Sequence, residues 1–357
     1  MRLLVTGGAG FIGQHLARVL AEHELTALDL LTDQVHLNPS ASAAAFPGRV
    51  VRGDVSAVET WSGLDQADAI VHLAAETGTG QSMYERDRYE RVNVTGTQLA
   101  VRTAQRWEVP VVLMSSRAVY GEGGYGCVEH GATWGAACCE VATPRPSRED
   151  DPHRPVSVYG ESKSRAEAAV AGVDIPATII RPQNVIGPGQ ALHNPYTGVL
   201  AAFLARLREG KTLQVYGDGS QSRDLVHVED VAALIRWCVD HPPQAGSPRV
   251  INAGTGVRTT LLDLARTSIQ SSPSGESSPW RSLVELVAVH RAGDIAHACA
   301  DLSRLRALGT PAPRWSSEAA IGDFMRWAWD RPGARAGAWD DALTELALHG
   351  LTRELGE

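Results

Sequence analysis

Lysine is almost missing from this chain of 357 residues: Lys163 and Lys211 are the only two, and arginine carries the rest of the positive charge. Basic runs are also missing, and the formal net charge is −8. A phosphate-backbone footprint needs clustered cations, so nucleic acid is not an expected partner. Long apolar runs do not occur. No stretch approaches the ~20 residues needed to cross a bilayer, so no membrane partner is expected. Arg2–Thr6 already reads as a buried strand rather than the start of a signal peptide, and a soluble cytoplasmic protein is the expectation. Cysteine is scarce and odd in number (Cys127, Cys138, Cys139, Cys238 and Cys299), which does not suggest a disulfide framework. Internal repeats and low-complexity segments are absent, and the nine tryptophans are scattered and assigned to packing. What remains is a chain that is 43% hydrophobic, long enough for a large core and about two lobes.

The first ~180 residues alternate short apolar β-type runs with helical runs, the pattern of a parallel sheet covered by helices. Strands are expected at Leu3–Thr6, Leu25–Leu28, Val50–Arg52, Ala69–Leu73, Val111–Met114 and Ala177–Arg181, and helices at Ile12–Ala21, Arg86–Arg106 and Ser157–Val170. Strands this short and this apolar suit burial on both faces. The expected fold class is therefore α/β, a Rossmann-type doubly wound parallel sheet with a smaller C-terminal α/β lobe. Residues 1–181 form the dinucleotide-binding part, with an irregular loop at 121–155. Residues 182–357 form a substrate lobe interleaved with it, with helices at Tyr196–Arg208, Val228–Val239, Leu261–Ser268, Ser317–Trp329 and Asp340–His349.

The first strand runs into a GxxGxxG turn. Gly7 permits the tight turn, Gly10 lets a pyrophosphate approach the backbone, and Gly13 lets the following helix lie close to the sheet. Phosphates at that helix N-terminus, beside Phe11 and Ile12, meet unpaired N–H groups and a favourable dipole. The second strand ends at Asp29, at the distance expected of a ribose-binding acid. Its carboxylate accepts from a 2′-hydroxyl and repels a 2′-phosphate, so NAD is expected rather than NADP. Asp54 and Val55 follow the third strand near the adenine, and Leu73, Ala74 and Ala75 follow the fourth with small side chains that line the cofactor.

Tyr159 and Lys163 form a YxxxK pair whose spacing puts both on one helix face. A free tyrosine titrates near ~10, too high for a base at neutral pH, and a nearby ammonium and an oxidised nicotinamide favour the phenolate. Ser116, at the end of the fifth strand, can reach the same space.

With these residues the chain resembles the extended short-chain dehydrogenase/reductases of the NAD-dependent nucleotide-sugar epimerase and dehydratase family. The matching pieces are TGGAGFIG at 6–13, HLAA at 72–75, VNVTGT at 92–97, MSSRAVYG at 114–121, YGESK at 159–163, RPQNVIGPG at 181–189, YGDGSQSRDLVHVEDVA at 216–232 and RAGDIAHACAD at 291–301. The resemblance implies that Tyr159 removes a proton from a sugar hydroxyl, usually at C4, while hydride passes from that carbon to NAD. It implies that Ser116 hydrogen-bonds the hydroxyl and developing ketone, that Lys163 holds the nicotinamide ribose, and that Pro182 touches the cofactor. The family's 4,6-dehydratases carry an acid pair after the serine. Here the positions hold Arg117 and Ala118, which argues for epimerisation. A reductase, or a dehydratase using Glu76 or Glu122, is the alternative on the same scaffold, and a non-catalytic dinucleotide-binding protein is the rival from another class.

Within the family the chain is most similar to the dTDP-L-rhamnose 4-epimerase-like group. The resemblance assigns Thr77, Gln81, Ser82, Ser116 and Arg117 to the sugar, Tyr216 to the border of the base, and Asn184, Arg223 and Arg291 to the diphosphate of a TDP- or UDP-linked sugar. Asp224 or Asp294 are the internal ion-pair partners that compete for the two arginines. His72 and Asn93 read as structural, and the tail after Pro332 shows no legible chemistry. The helices near Arg86–Arg106 and Ser157–Val170 form the dimer bundle in many relatives, so a homodimer is implied. Cys127 and His130 have C-x₂-H spacing, with Cys138 and Cys139 shortly after. Zinc wants four S/N ligands, and neighbouring cysteines rarely both reach one metal without strain. A loop with free thiols and no metal is expected, Cys127, His130 and Cys138 being the candidates if a site exists.

Overall fold

Seven short strands form one parallel sheet in the computed structural model, which describes residues 1–196, 198–273 and 279–354. The strands are β1 (Arg2–Thr6), β2 (Glu24–Asp29), β3 (Arg49–Arg52), β4 (Ala69–His72), β5 (Val111–Met114), β6 (Ala177–Pro182) and β7 (Arg249–Ala253). Their order across the sheet is β7-β6-β5-β4-β1-β2-β3. Sequence order reverses beside β1, and ligands of such sheets bind at the carboxyl ends of the strands next to that reversal. Thr6 is in register with Leu28 and with His72, so the turns after β1, β2 and β4 open at one edge.

Two apolar layers hold the sheet. On one face α1 (Phe11–Val19) contributes Leu16 and Ala17 and the turn after it Leu20, packed against Val231, Leu234 and Ile235 of a helix at Val228–Asp240. On the other face lie α2 (Gly96–Trp107), with Leu99, Ala100 and Ala104, and α3 (Val158–Val170), with Ala166 and Val170. Each large side chain fully removed from water contributes roughly 1.5–3 kcal/mol. A third cluster gathers helices Val199–Arg208, Leu261–Gln270 and Ser317–Ala328 around Phe203, Leu204, Ile269, Ile321 and Phe324. Among the described residues no helix is long and apolar enough to cross a membrane.

Four local readings change. The strand β7 escaped the sequence pattern because its apolar run is cut to Val250–Ile251 by a polar residue: Asn252 is fully buried, accepts from the Tyr120 hydroxyl and donates to the Ser147 carbonyl. The expected helix Arg86–Arg106 is continuous but contains a π-helical turn at Glu90–Thr95. The expected helix Tyr196–Arg208 starts only at Val199, after Gly198 with φ +84°. The 121–155 segment, expected to be irregular, carries a three-stranded antiparallel sheet with Gly124–Cys127 between Gly131–Trp134 and Thr143–Pro144. Glycine and proline in those strands erase the alternation that would have marked them.

Candidate active site

A cavity of about 860 Å³ runs along the carboxyl edge of the sheet and into the third cluster. Its floor is the glycine turn. A Cβ on Gly7, at φ +67°, would stand 2.9 Å from the Ala74 nitrogen, and one on Gly13 would stand 2.4 Å from the Gly8 carbonyl oxygen. Both contacts exclude any side chain. A Cβ on Gly10 would meet just one atom, Gly7 O at 3.2 Å, so its other side is free for a ligand to approach.

Asp29 is buried at the end of β2. One carboxylate oxygen accepts from Ala9 N at 3.1 Å, which ties it to the glycine turn, and the other accepts from Leu31 N at 2.9 Å. The turn-capping role and the position beside the phosphate loop therefore coexist. Phe11, Ile12, Asp54, Val55, Leu73, Ala74, Ala75 and Pro182 all line the same cavity, so the expected cofactor residues are brought together. Gln183 adds a feature that sequence reading passed over. Neither end of its buried carboxamide has a hydrogen-bond partner among the described residues, and it stands at the cavity wall. An orphaned buried amide costs roughly 1–3 kcal/mol. It fits a polar ligand there, as the bare glycine cradle fits a dinucleotide phosphate.

The expected catalytic trio, Ser116, Tyr159 and Lys163, lines the same cavity. Ser157 caps α3, its hydroxyl accepting from Gly160 N at 3.1 Å, and this fixes where Tyr159 and Lys163 point. Lys163 is buried and donates to the Met114 carbonyl at 2.9 Å. Burial lowers its ammonium to about 8, partly opposed by the Glu167 carboxylate. Burial raises the Tyr159 phenol above its ordinary value, while the Ser116 hydroxyl and the Arg117 guanidinium draw it back down. Arg117 is thus a cation acting on the phenol that sequence reading passed over, while the Lys163 ammonium donates at the end of β5. Arg117 is itself lowered to about 10, first by burial and next by Arg223. A buried network that the sequence did not disclose underlies the trio. Glu167 takes Arg181 through two bonds of 2.9 and 2.7 Å and also the Ser115 hydroxyl, and Arg181 reaches Tyr120 and His153.

On the substrate side Thr77, Ser116, Arg117, Asn184, Tyr216, Arg223 and Arg291 line the cavity. Gln81 and Ser82 do not. They close the one-turn helix Thr79–Ser82 and point inward: Gln81 bonds Gln34 and Glu85, and Ser82 accepts from Tyr159 N at 3.0 Å. Thr79 and Gly80 line the cavity in their place. Arg223 donates to the carbonyls of Ser222, Ile295 and Ala296, not to Asp224. Asp224 is held by Thr255, Gly256 and Ala300 N–H groups instead. Arg291 does pair with Asp294 at 2.9 Å and lies over the Tyr216 ring. The helix Ala336–Leu348 supplies Trp339, Asp340 and Leu346 to the cavity, and Tyr196 bonds Glu345. The sequence pattern marked a helix at Asp340–His349, but nothing in it marked the place of that helix at the cavity wall.

His72 and Asn93 are structural, as expected. His72 bonds the Thr6 hydroxyl at 2.8 Å and is lowered to about 3 by burial. Asn93 clasps the Glu76 backbone and the Ser162 hydroxyl. The cysteine loop differs from expectation. Cys139 joins Cys127, His130 and Cys138, and all four ligand atoms lie within 4.8 Å of one another.

Comparison with known proteins bears on the same residues. Residues 3–254 match the family model described as "NAD dependent epimerase/dehydratase family". The dTDP-L-rhamnose 4-epimerase of Burkholderia thailandensis is 37% identical over 91% of this chain and 94% of that protein. The UDP-glucose 4-epimerase of Mycolicibacterium smegmatis is 32% identical over 74% and 80%. The crystal structure of DesIV, a dTDP-glucose 4,6-dehydratase from Streptomyces venezuelae with NAD and TYD bound, superposes with a TM-score of 0.77 at 28% identity, over 95% of this chain and 100% of that one.

Proposed function

The chain belongs to the NAD-dependent epimerase/dehydratase family, and from that premise we propose that it inverts C4 of a TDP- or UDP-linked sugar through a transient 4-keto intermediate. The observation that carries this is the convergence of Ser116, Tyr159 and Lys163 with no acid at the two positions after Ser116. When bound, NAD supplies a hydride acceptor and donor beside C4. Tyr159, as phenolate, takes the C4 hydroxyl proton. Ser116 donates to the oxygen as it becomes a ketone, and Lys163 holds the cofactor ribose while its charge favours the phenolate. Return of hydride to the other face of C4, with the proton given back by Tyr159, completes an inversion without net redox change.

Two carboxylates could have served elimination instead, and both are committed. Glu76 pairs with Arg88 at 2.8 Å. Glu122 accepts from Tyr125, Ala296 N and His297 N. Arg117, Arg223 and Arg291 give the cavity a cationic wall suited to a diphosphate, with Asn184 beside them. The curated relatives support a TDP-linked 6-deoxyhexose as the first substrate to try.

Incubation with a panel of TDP- and UDP-sugars, without added NADH, should give an epimer of unchanged mass. A product lighter by one water, or stoichiometric consumption of NAD(P)H, would replace this reading with the dehydratase or reductase. Cys238 and Cys299, buried and not disulfide-bonded, support a cytoplasmic location. The outer faces of α2 and α3 are the proposed homodimer surface, and light scattering on the purified protein should give twice the chain mass.

A further inference from the structure

The segment between Gly121 and Arg145 has almost no core of its own. Val128 is 95% exposed and Val141 51% exposed. Yet it holds a defined hairpin, in which Cys127 faces Gly131 across the turn and Gly131 adopts φ +75°. Small units without a core are held by a disulfide or a metal.

The turn brings Cys127 Sγ to 3.5 Å from His130 Nδ1. Cys139 Sγ lies 3.5 Å from Cys127 Sγ and 3.7 Å from His130 Nδ1. Cys138 Sγ lies 3.6 Å from the same nitrogen and 3.7 Å from Cys139 Sγ. Zinc bonds of about 2.3 Å to sulfur and 2.0–2.1 Å to nitrogen, arranged tetrahedrally, place sulfurs about 3.8 Å apart and sulfur about 3.6 Å from nitrogen. The observed separations are the edges of that tetrahedron. They are far too long for a disulfide, whose sulfurs stand about 2.05 Å apart. The adjacent cysteines both reach the centre because their backbone turns between them, so adjacency is no obstacle here. The Glu129 N–H points at Cys127 Sγ at 3.4 Å, a donor suited to a thiolate ligand.

We propose that Cys127, His130, Cys138 and Cys139 bind one Zn²⁺ ion in a closed, structural site. Three sulfurs and one imidazole select zinc over the harder oxygen-seeking cations. Four protein ligands leave no open position, so the metal takes no part in turnover. Binding releases the protons of the three thiols. The site closes a loop whose roots touch the substrate wall. Glu122 holds Ala296 N and His297 N, and Ala296 O receives Arg223. At the other root Arg145 lies over the Trp134 ring at 4.2 Å and pairs with Asp151.

The test uses the intact protein expressed in zinc-supplemented medium and, separately, in cobalt-supplemented minimal medium. Elemental mass spectrometry should find one zinc per chain. The cobalt protein should show the intense visible d–d bands of a tetrahedral site and a thiolate-to-cobalt charge-transfer band. The Cys138→Ser/Cys139→Ser variant should lose both signals while still retaining NAD. Zinc no higher than in the buffer together with a colourless cobalt protein, or metal retained by the double variant, overturns the proposal. So does an intact mass lower by two hydrogens that maps a disulfide to this cluster. The cobalt spectrum is read on the wild-type chain, so the outcome does not depend on the variant folding.

Discussion

Replacing Tyr159 by phenylalanine separates the chemistry from the fold with little ambiguity. The ring packs edge-on to Tyr89 at 6.3 Å, and the backbone nitrogen is held by Ser82. Phenylalanine keeps both contacts. The change removes one oxygen, whose protein partner is the Ser116 hydroxyl. Loss of one such hydrogen bond alters stability by about 1 kcal/mol at most. The rate should behave quite differently. A positioned general base contributes ~10²–10⁴-fold, or about 3–5 kcal/mol of barrier. Epimer formation, followed by chromatography of the nucleotide-sugar pool, should fall by that factor while the melting temperature stays within a few degrees. In the wild type, activity should rise with pH as the phenol, raised by burial, gives up its proton. Ser116→Ala should push that limb to higher pH, because the serine hydroxyl is one of the groups that lowers the phenol. A phenylalanine variant that epimerises within a few-fold of wild type would refute the assignment.

Asp29→Ala should weaken NAD by about 10–100-fold, the worth of a hydrogen bond to a charged group, and narrow the preference over NADP. Calorimetry with each dinucleotide reads both changes. Lys163 is held at about 8 by burial, below the ordinary lysine value of 10.5. Across that window the unfolded chain carries a proton that the folded chain lacks. Unfolding free energy should therefore rise with pH there, by roughly 3 kcal/mol, in urea titrations, and the rise should vanish in Lys163→Met. Glu167→Ala leaves the Arg181 guanidinium buried without its carboxylate and should cost about 3–5 kcal/mol. A loss under 1 kcal/mol by denaturant titration would show that Tyr120 and His153 suffice.

The parts legible in the sequence are those where backbone geometry admits few residues. Gly7, Gly10 and Gly13 are spaced by the turn they make, Asp29 by the length of one βα unit, and Tyr159 and Lys163 by the helical repeat. What stayed hidden depends on partners far away in the chain. Asn252 made β7 look polar because its partners, Tyr120 and Ser147, lie over a hundred residues earlier. Arg181 and Glu167 read as ordinary charges until β6 and α3 bring them together. Gln81 and Ser82 sit on a single helical turn, and one turn is too short for periodicity to say which side faces the ligand. Cys139 was set aside on local strain, yet the hairpin turn decides where its sulfur goes.

The π-helical turn at Glu90–Thr95 works as a phase shifter. An α-helix rotates by about 100° per residue, and one wide turn resets where every later side chain points. On its near side Tyr89 donates to the carbonyls of Thr77 and Gly78, holding a loop that lines the cavity. On its far side Leu99 and Ala100 face the sheet. With an ordinary α-helical count the two ends would compete, and either the loop or the sheet would lose its contact. Deleting one residue within this turn would leave a helix more regular than the native one, and a cavity-side loop without its clasp.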